Sequence, residues 1–388
     1  MSKQSKRNKH QKKDSAEALL IKAQRLLDAG KFLKAIRCFD DALTKECAFS
    51  EGQIGKGDAF FGIGDYQNAE KAYRLGLSVT PKSPDGLFGL AATLRVCEAY
   101  DKAIPIYEQA LEIEPDRTEA YWEMAYTKEM TGDLRGAKKD YKTCLTHHPG
   151  HGMAEHLLAS LLGKKTLRAP IEYVRDLFDD YADTFEADLV NDLGYRVPQL
   201  ILEALADASK SLKNINSPFF NAALDLGCGT GLVATAIKHL TYRIDGVDIS
   251  ENMLTVARKN KRYTRVYPRE ILDFLGDFSA GSQLYDLILS GDSLVYVGDL
   301  RPVFIAVKKR IAPHGLFCFT LENSSCKDFN LCRTGRYAHN VKYVHDLLDR
   351  TGFCKLASNK IVPRTDASVN IDGSLYLACP NPSAGQKI

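Results

Sequence analysis

The sequence lacks any apolar run near the length of about 20 residues that a membrane-spanning helix requires. Its N-terminus is polar and has no apolar core of a signal peptide. The ten cysteines are scattered and form no Cys-x-x-Cys pair, so neither a zinc site nor a disulfide framework is expected. We therefore predict a cytoplasmic protein with reduced thiols, no metal site and no membrane association.

Excess basic charge is confined to the N-terminus. Residues 1–13 contain six lysines and arginines and no acid, whereas the whole chain has a net charge of only +3. The remainder is therefore slightly acidic, and we expect no nucleic-acid partner. We interpret residues 1–15 as a disordered basic tail, with a localisation signal or a contact with an acidic surface as the alternative.

A period of 34 residues organises the first half of the chain. Four segments align in register: 16–49, 50–83, 84–117 and 118–151. Two small positions in each segment allow a pair of helices to approach, and an aromatic residue fills the space between them. The small residues are Ala23, Gly57, Ala91 and Ala125, then Ala35, Ala69, Ala103 and Ala137; the aromatic residues are Phe39, Tyr73, Tyr107 and Tyr141.

This pattern resembles the tetratricopeptide repeat, with two departures. Glu98 stands at the turn glycine of the third repeat, and Cys47 stands where the other three repeats have proline. Residues 151–163 are expected to form a closing helix. The resemblance implies an all-α tetratricopeptide-repeat solenoid over residues 16–163, whose concave groove binds a protein or peptide ligand. A spacer or a dimer contact is the alternative.

The pattern changes after about residue 215, where short apolar runs alternate with amphipathic segments. This alternation is typical of an α/β domain with a parallel sheet between helices. The last two runs, 353–361 and 374–379, are joined without a helix and predict an antiparallel hairpin. We predict a doubly wound, mostly parallel seven-stranded sheet with a late antiparallel strand over residues 216–388, which is the methyltransferase variant of this fold. Residues 164–215 are expected to form a helical lid or linker.

A glycine-rich loop follows the first predicted strand in the stretch "ALDLGCGTGLVATAI", residues 223–237. Asp225 lies near the end of the strand. Gly227 permits a sharp turn, Gly229 exposes the main chain to a ligand, and Gly231 lets the next helix pack closely. The spacing is Gly-x-Gly-x-Gly and differs from the Gly-x-Gly-x-x-Gly pattern of nicotinamide binding.

Acidic residues also follow the next two strands. Asp248 ends the second strand, where a carboxylate can accept hydrogen bonds from both hydroxyls of a ribose. Ile249 or Met253 is expected to pack on an adenine face. Glu270 and Ile271 follow the third strand, and an acid followed by an apolar residue suits the amino group and the ring of adenine.

Asp292 and Tyr296 follow the fourth strand and are expected over the same pocket. Together with the glycines and the three preceding acids, they predict a site for S-adenosylmethionine. Another nucleotide, or a remnant site that binds nothing, is the alternative.

Four further stretches resemble predicted methyltransferases that carry tetratricopeptide repeats, a family whose substrate is generally unassigned. They are residues 173–198, 291–300, 331–340 and 363–377. Ala187 stands where the family usually has histidine, and Asp366 where it tends to have glutamate. The resemblance implies methyl transfer to a small molecule or to a protein recruited by the repeats, by O- or N-methylation. A catalytically inactive scaffold is the alternative.

The first of these stretches has aromatic residues at helical spacing. We expect a lid over the cofactor in which Tyr173 and Tyr181 shield the sulfonium, although a helix packed on the sheet edge is also consistent with the pattern. The third stretch is expected to form a loop at the active-site end. His339 is the candidate base, Arg336 the candidate ligand of a substrate carboxylate, and Tyr337 a neighbouring catalytic candidate. Surface pairing of the loop is the alternative.

Overall fold

The computed structural model describes residues 15–45, 49–182, 185–187, 189, 194–211, 220–277, 284–366 and 369–382. The chain divides between Leu158 and Ala159 into two compact units. All but the last residue of the expected basic tail lies outside the described residues. No helix within the described ranges combines the length and apolar character needed to cross a membrane.

Four consecutive helix pairs and a closing helix follow the 34-residue period, as expected for the repeats. The closing helix spans the division between the units. The helices are α1 (Ala16–Asp28), α2 (Phe32–Leu43), α3 (Phe49–Gly62), α4 (Tyr66–Val79), α5 (Pro84–Val96), α6 (Tyr100–Ile113), α7 (Thr118–Met130), α8 (Leu134–His147) and α9 (Gly152–Leu161).

The small and aromatic positions of the repeats form the core of the first unit. A Cβ atom added to Gly57 would lie only 2.7 Å from the ring of Tyr73, so the close helix contact requires glycine there. The Tyr73 hydroxyl donates a hydrogen bond of 2.7 Å to Asp58. The four aromatic residues are at most 2% exposed, and so are the alanines at both small positions: Phe39, Tyr73, Tyr107 and Tyr141, then Ala23, Ala91, Ala125, Ala35, Ala69, Ala103 and Ala137.

The turn within each repeat uses a left-handed residue. Gly30, Gly64 and Gly132 have φ of 65°, 75° and 87°, and Glu98 adopts φ of 58° at the same position of the third repeat. The Glu98 N–H donates to the carbonyl of Arg95 at 3.0 Å, so the hydrogen bonding of the turn is kept. A side chain in this conformation costs backbone energy that glycine avoids.

We expect Glu98→Gly to stabilise the first unit and the reciprocal Gly64→Glu to destabilise it, each by about 1 kcal/mol. An added Cβ at Gly64 meets nothing within 4 Å, so the effect there is one of the backbone alone. Trp122, the single tryptophan, lies in α7 and reports unfolding of this unit by fluorescence in urea. Equal unfolding midpoints for the two variants would contradict the assignment of strain to Glu98.

The second unit is built on a twisted mixed sheet. Its main path runs in the order β3, β2, β1, β4, β5, β11, β8. These strands, with the shorter ones that flank them, are β1 (Ala223–Leu226), β2 (Ile244–Asp248), β3 (Arg265–Pro268), β4 (Tyr285–Ser290), β5 (Ile311–Asn323), β6 (Phe329–Leu331), β7 (Tyr337–His339), β8 (Phe353–Ile361), β9 (Thr365–Asp366), β10 (Val369–Asn370) and β11 (Gly373–Pro380).

The seven-stranded path with a late antiparallel strand is confirmed. Strand β11 pairs antiparallel with both β5 and β8, and the strands from β3 to β5 pair in parallel. The prediction of a loop over residues 331–340 was wrong in one respect, because residues 337–339 form β7. This short strand pairs with the end of β5 and with β6, which adds two strands to the sheet beside the main path. The order of the strands reverses at β1 and β4, where such sheets bind their ligands.

Helices cover both faces of the sheet. They are α10 (Ile171–Tyr181), α11 (Phe185–Ala187), α12 (Val197–Ser211), α13 (Leu232–Ile237), α14 (Glu251–Lys259), α15 (Ile271–Gly276), α16 (Arg301–Arg310) and α17 (Val341–Arg350). Leu224 and Leu226 of β1 belong to the core cluster beneath α15, α16 and α17, whereas Ala223 belongs to the cluster beneath α12 and α13. The alternation along β1 therefore buries both faces and leaves the carboxyl ends of the strands for a site.

Candidate active site

The three loop glycines have different structural roles. Gly227, Gly229 and Gly231 all adopt left-handed φ, of 68°, 50° and 96°. A Cβ atom would lie 2.3 Å from Ser293 at Gly227 and 2.8 Å from Tyr263 at Gly231, so these two positions are sterically closed. At Gly229 the nearest atom is 3.8 Å away. That atom belongs to the Phe185 ring, an ordinary van der Waals contact, so Gly229 is the one of these three positions with room for a Cβ atom and hence for close approach of a ligand.

Asp248 connects this loop to the end of β2. Its Oδ2 accepts a hydrogen bond of 2.7 Å from the Gly229 N–H, and its Oδ1 accepts one of 2.9 Å from the Ser250 N–H. Burial raises the pKa of the carboxyl, and these backbone donors oppose that shift. Each oxygen retains acceptor capacity on the side of the cavity, so the carboxylate is oriented to receive two hydroxyl groups.

Asp225 lies behind the cavity wall. Its Oδ2 accepts a hydrogen bond of 2.8 Å from the Tyr263 hydroxyl, whereas Oδ1 has no hydrogen-bond partner among the described atoms. Burial raises the pKa of this carboxyl to about 7, and the nearby Asp248 acts in the same direction. In this structure Asp225 supports the loop from below and does not line the cavity.

Glu270 and Ile271 line the cavity at the end of β3. One carboxylate oxygen of Glu270 caps α15 by accepting hydrogen bonds from the Leu272 and Asp273 N–H groups, at 2.7 and 3.0 Å. The other oxygen is 3.8 Å from the guanidinium of Arg168. The cap fixes the side chain, so this second oxygen has a defined position at the cavity wall.

The opposite end of the cavity is a buried charge cluster. Arg364 is 1% exposed and forms ion pairs with both Asp292 and Glu322. Asp292 has a left-handed φ of 59°, and its N–H donates to the Thr320 hydroxyl at 2.9 Å. The ion pair and this hydrogen bond hold the strained Asp292 in place at the carboxyl end of β4.

Arg336, which directly precedes β7, joins this cluster. Its guanidinium lines the cavity, is hydrogen-bonded to the hydroxyl of Tyr296, and lies within electrostatic range of Asp292 and Glu322. These interactions raise its pKa although burial acts against the charged form. Arg336 is therefore a permanent cation at the cavity wall.

Helix α10 and the short α11 form an aromatic cover over the cavity. Phe178 contacts Tyr296 and Phe185 edge-on, with ring centroids 5.5 and 6.0 Å apart, and Tyr181 contacts Phe185 at 5.5 Å. Phe178, Tyr181 and Phe185 line the cavity. The described part of the segment predicted as a lid therefore lines the same cavity as Gly227 and Gly229.

Two polar links join this cover to the glycine loop. The Ser250 hydroxyl donates to Asp179 of α10 at 2.6 Å, and Ser250 in turn donates its N–H to Asp248. Glu186 of α11 pairs with Arg262, whose guanidinium also donates to the carbonyl of Thr230 at 3.0 Å. These contacts link the cover to the glycine loop at two points.

Besides Tyr296, nine of the predicted site residues line one cavity of about 230 Å³. Three others are buried beside it: Met253 within α14, Gly231 under Tyr263, and Tyr173 with its ring 6.5 Å from Tyr296. The nine that line the cavity are Gly227, Gly229, Asp248, Ile249, Glu270, Ile271, Asp292, Tyr181 and Arg336.

The structure does not bring His339 or Tyr337 into the cavity. His339 is fully buried, its Nε2 lies 3.0 Å from the Gly298 carbonyl oxygen, and burial lowers its pKa to about 4. The Tyr337 hydroxyl lies 2.5 Å from that of Thr166. Alternation along β7 explains the difference, because residues 337 and 339 point to the face opposite Arg336. His339 is therefore not placed to act as a base on a substrate in this cavity.

Sequence reasoning missed several polar residues that line the cavity, among them Arg168, Tyr195 and Arg364. Arg364 lies in the stretch 363–377, which resembles the family, but the resemblance assigns no role to this arginine. Its only sequence signal is a basic residue beside the apolar end of β8. Arg168 and Tyr195 lie in the segments before and after the cover. Helical periodicity predicts which residues are buried, but it does not predict which polar residues face a cavity.

Comparisons with known proteins agree with this architecture. Residues 224–317 match a family described as a methyltransferase domain, and residues 20–85 and 54–120 match one described as a tetratricopeptide repeat. Malonyl-[acyl-carrier protein] O-methyltransferase of Bacillus cytotoxicus is 30% identical over 161 residues, or 40% of this chain and 54% of that protein. Phosphoethanolamine N-methyltransferase 2 of Caenorhabditis elegans is 22% identical over 202 residues, or 50% and 44%.

The chain spans about half the length of these curated relatives. Among solved structures, magnesium protoporphyrin IX methyltransferase of Synechocystis PCC 6803 with bound SAH has a TM-score of 0.41 and 13% identity, covering 54% of this chain and 99% of that one. A likeness at this level carries no argument. The family matches and the strand order show tetratricopeptide repeats followed by a class I methyltransferase domain. S-adenosylmethionine is the cofactor consistent with this family.

We expect Asp179→Ala to weaken binding of S-adenosylmethionine about tenfold, because it removes the hydrogen bond between the cover and Ser250 beside Asp248. Asp176→Ala on the same helix is the matched control, since Asp176 pairs only with its exposed neighbour Arg175. Isothermal titration calorimetry measures both affinities. Equal dissociation constants for the two variants would show that the link does not contribute to the site.

Proposed function

We propose that the chain transfers the methyl group of S-adenosylmethionine to an acceptor that enters the cavity of the second unit. The arrangement of Asp248 carries this proposal. Its two oxygens accept hydrogen bonds from the backbone N–H groups of Gly229 and Ser250, and Gly229 is the one of the three loop glycines at which a Cβ atom would not clash. A carboxylate fixed in this way suits the two ribose hydroxyls, and Glu270 with Ile271 suits the adenine.

The chemistry of methyl transfer fits the rest of the cavity. S-adenosylmethionine supplies an activated methyl group when it is bound, so the protein mainly has to place a nucleophile in line with it and exclude water. Gly227 and Gly229 allow close approach, and Phe178, Tyr181 and Phe185 cover the loop. The aromatic faces also favour a cationic group such as a sulfonium.

The acceptor is a small molecule or a protein recruited by the repeats. The relatives named above act on a malonyl group carried by a protein and on phosphoethanolamine, and thus include an O- and an N-methyltransferase. A scaffold without activity is the competing function, in which the cavity is a remnant and the repeats bind a partner. The affinity for S-adenosylmethionine distinguishes the methyltransferase from the scaffold, because a remnant site is not expected to bind the cofactor through Asp248.

We expect the full-length chain to bind S-adenosylmethionine and its demethylated product, and Asp248→Ala to weaken both by about 100-fold. The variant loses two hydrogen bonds to a charged acceptor, each of about 1.5 kcal/mol. Asp346→Asn, on the exposed face of α17, is the control. Calorimetric titration measures the affinities. A folded chain that binds neither compound would instead support the scaffold function.

We further propose that the concave groove of the first unit binds a positively charged protein segment. Glu51, Asp58 and Asp85 line a groove of about 700 Å³ together with Phe61 and Phe88. Arg117 also lines it, but its guanidinium is shared between Asp85 and Glu114, at 2.8 and 3.1 Å. The carboxylates suit lysine or arginine side chains, and the aromatic rings suit their aliphatic parts and their charge.

We expect a fluorescein-labelled octalysine peptide to bind the full-length chain and the double variant Glu51→Gln/Asp58→Asn to bind it several-fold more weakly. Fluorescence anisotropy at two salt concentrations measures the affinity, which falls as salt rises. Glu112→Gln, an exposed acid on α6 outside the groove, is the control. The same loss in the control would mean that the peptide binds acidic surface in general.

A further inference from the structure

We infer that the acceptor is a carboxylic acid, bound as its carboxylate beside Arg336 and converted to a methyl ester. The inference deepens the proposed methyltransferase function and rests on it. The expected acceptor carries the carboxylate at one end and an apolar or aromatic body at the other. We base this inference on the charge cluster at one end of the cavity, which suits a carboxylate, and on the apolar walls at the other end, which suit an apolar body.

The carboxylates of the cavity wall have other roles, since Asp248 and Glu270 are assigned above to the ribose and the adenine of the cofactor. Asp248 accepts from the Gly229 and Ser250 N–H groups, and Glu270 caps α15. Asp292 is ion-paired with Arg364. The Arg364 guanidinium therefore occupies a carboxylate oxygen of Asp292.

The predicted base His339 lies outside the cavity, as described above. An alcohol or a protonated amine must lose a proton before or during methyl transfer. A carboxylic acid is already ionised at neutral pH, because its ordinary pKa is about 4. Such an acceptor can therefore react in this cavity without a catalytic base.

Arg336 supplies a suitable cation. Its guanidinium lines the cavity, and the hydrogen bond to Tyr296 fixes its position. The planar array of N–H donors matches a carboxylate in two parallel hydrogen bonds, which no lysine reproduces. Tyr296 in turn contacts the Phe178 ring of the cover, so the carboxylate site and the cover share a wall.

The charge balance of this end is also consistent with an anionic acceptor. The positive charges of the Arg336 and Arg364 guanidiniums balance the negative charges of the Asp292 and Glu322 carboxylates. A bound cofactor brings one net positive charge with its sulfonium, and an acceptor carboxylate neutralises it. Burial of this pair under the cover removes water from the carboxylate, which strengthens its interaction with the sulfonium.

The reaction balances without a further reactant. A lone pair of a carboxylate oxygen forms the new bond to the methyl carbon, and the bond between that carbon and sulfur breaks. The electron pair of the broken bond stays on sulfur, which becomes a neutral thioether. One negative and one positive charge disappear, no proton is released, and the products are the methyl ester and the demethylated cofactor.

The apolar part of the cavity defines the body of the acceptor. Leu177, Phe178 and Leu189 line the walls on the side of the cover, and Tyr195 lies among them. Burial raises the pKa of the Tyr195 hydroxyl well above its ordinary value, so this group is neutral and acts as a hydrogen-bond donor. A phenyl or short alkyl chain attached to the carboxylate fits such walls.

The test compares matched compounds on the full-length chain saturated with the demethylated cofactor. The probes are 3-phenylpropanoate, 3-phenylpropan-1-ol and 3-phenylpropylamine, and calorimetric titration at pH 7.5 measures their affinities. We expect the acid to bind at least tenfold more tightly than the other two. Arg336→Gln should remove that preference with a loss of about 10- to 100-fold, because a charge-assisted pair is lost. Arg336→Lys should restore it in part.

Arg333→Gln is the matched control, because Arg333 is an exposed arginine three residues earlier in the same stretch. A second readout uses S-adenosylmethionine labelled at its methyl group with the same three probes. Label in a methyl ester is released as methanol by mild alkali, whereas label in an ether or a methylamine is not. Alkali-labile label that depends on Arg336 supports the inference.

Two results would overturn the inference. One is that the acid binds no more tightly than the alcohol and the amine, and the other is that transferred label is stable to alkali. Arg336→Gln must also keep the cofactor affinity of the unchanged chain within about threefold, because a larger loss would assign Arg336 to the cofactor. Failure of the proposed function is distinct, since in that case the unchanged chain does not bind the cofactor.

Discussion

The pair of hydrogen bonds that Asp248 accepts from Gly229 and Ser250 is the constraint on which the catalytic unit depends. These hydrogen bonds connect the carboxyl ends of the neighbouring parallel strands β1 and β2, and the strand order reverses between β1 and β4. Through these hydrogen bonds, the glycine loop, the end of β2 and the start of α14 take one fixed geometry. The buried carboxylate is costly without these donors, so the same contacts that orient it also make its burial tolerable.

The cover and the charge cluster are built outward from this constraint. Asp179 reaches the same segment through Ser250, while Glu186 reaches the glycine loop through Arg262, so the aromatic cover is set by the loop it encloses. At the other end, Arg364 between two carboxylates keeps the strained Asp292 in place.

The repeat unit follows a different physical logic. Its stability comes from one packing scheme applied four times, in which small residues let helices approach and an aromatic residue fills the gap. Glu98 shows that the scheme tolerates a local penalty, because the turn keeps its hydrogen bonds even with a side chain at left-handed φ. The groove of the repeat unit has carboxylates and aromatic rings on one surface, and this combination suits a positively charged protein segment.

The sequence by itself determined the repeat period, the order of strands and helices, and the roles of Asp248 and Gly229, because these follow from local periodicity and from the convergence of parallel strand ends. Only the tertiary structure decided which polar side chains face the cavity. Arg336 directly precedes β7 and His339 ends it, yet Arg336 lines the cavity whereas His339 is buried outside it. Arg364 joins the site from the segment between β8 and β9, and no local sequence pattern indicates this long-range contact.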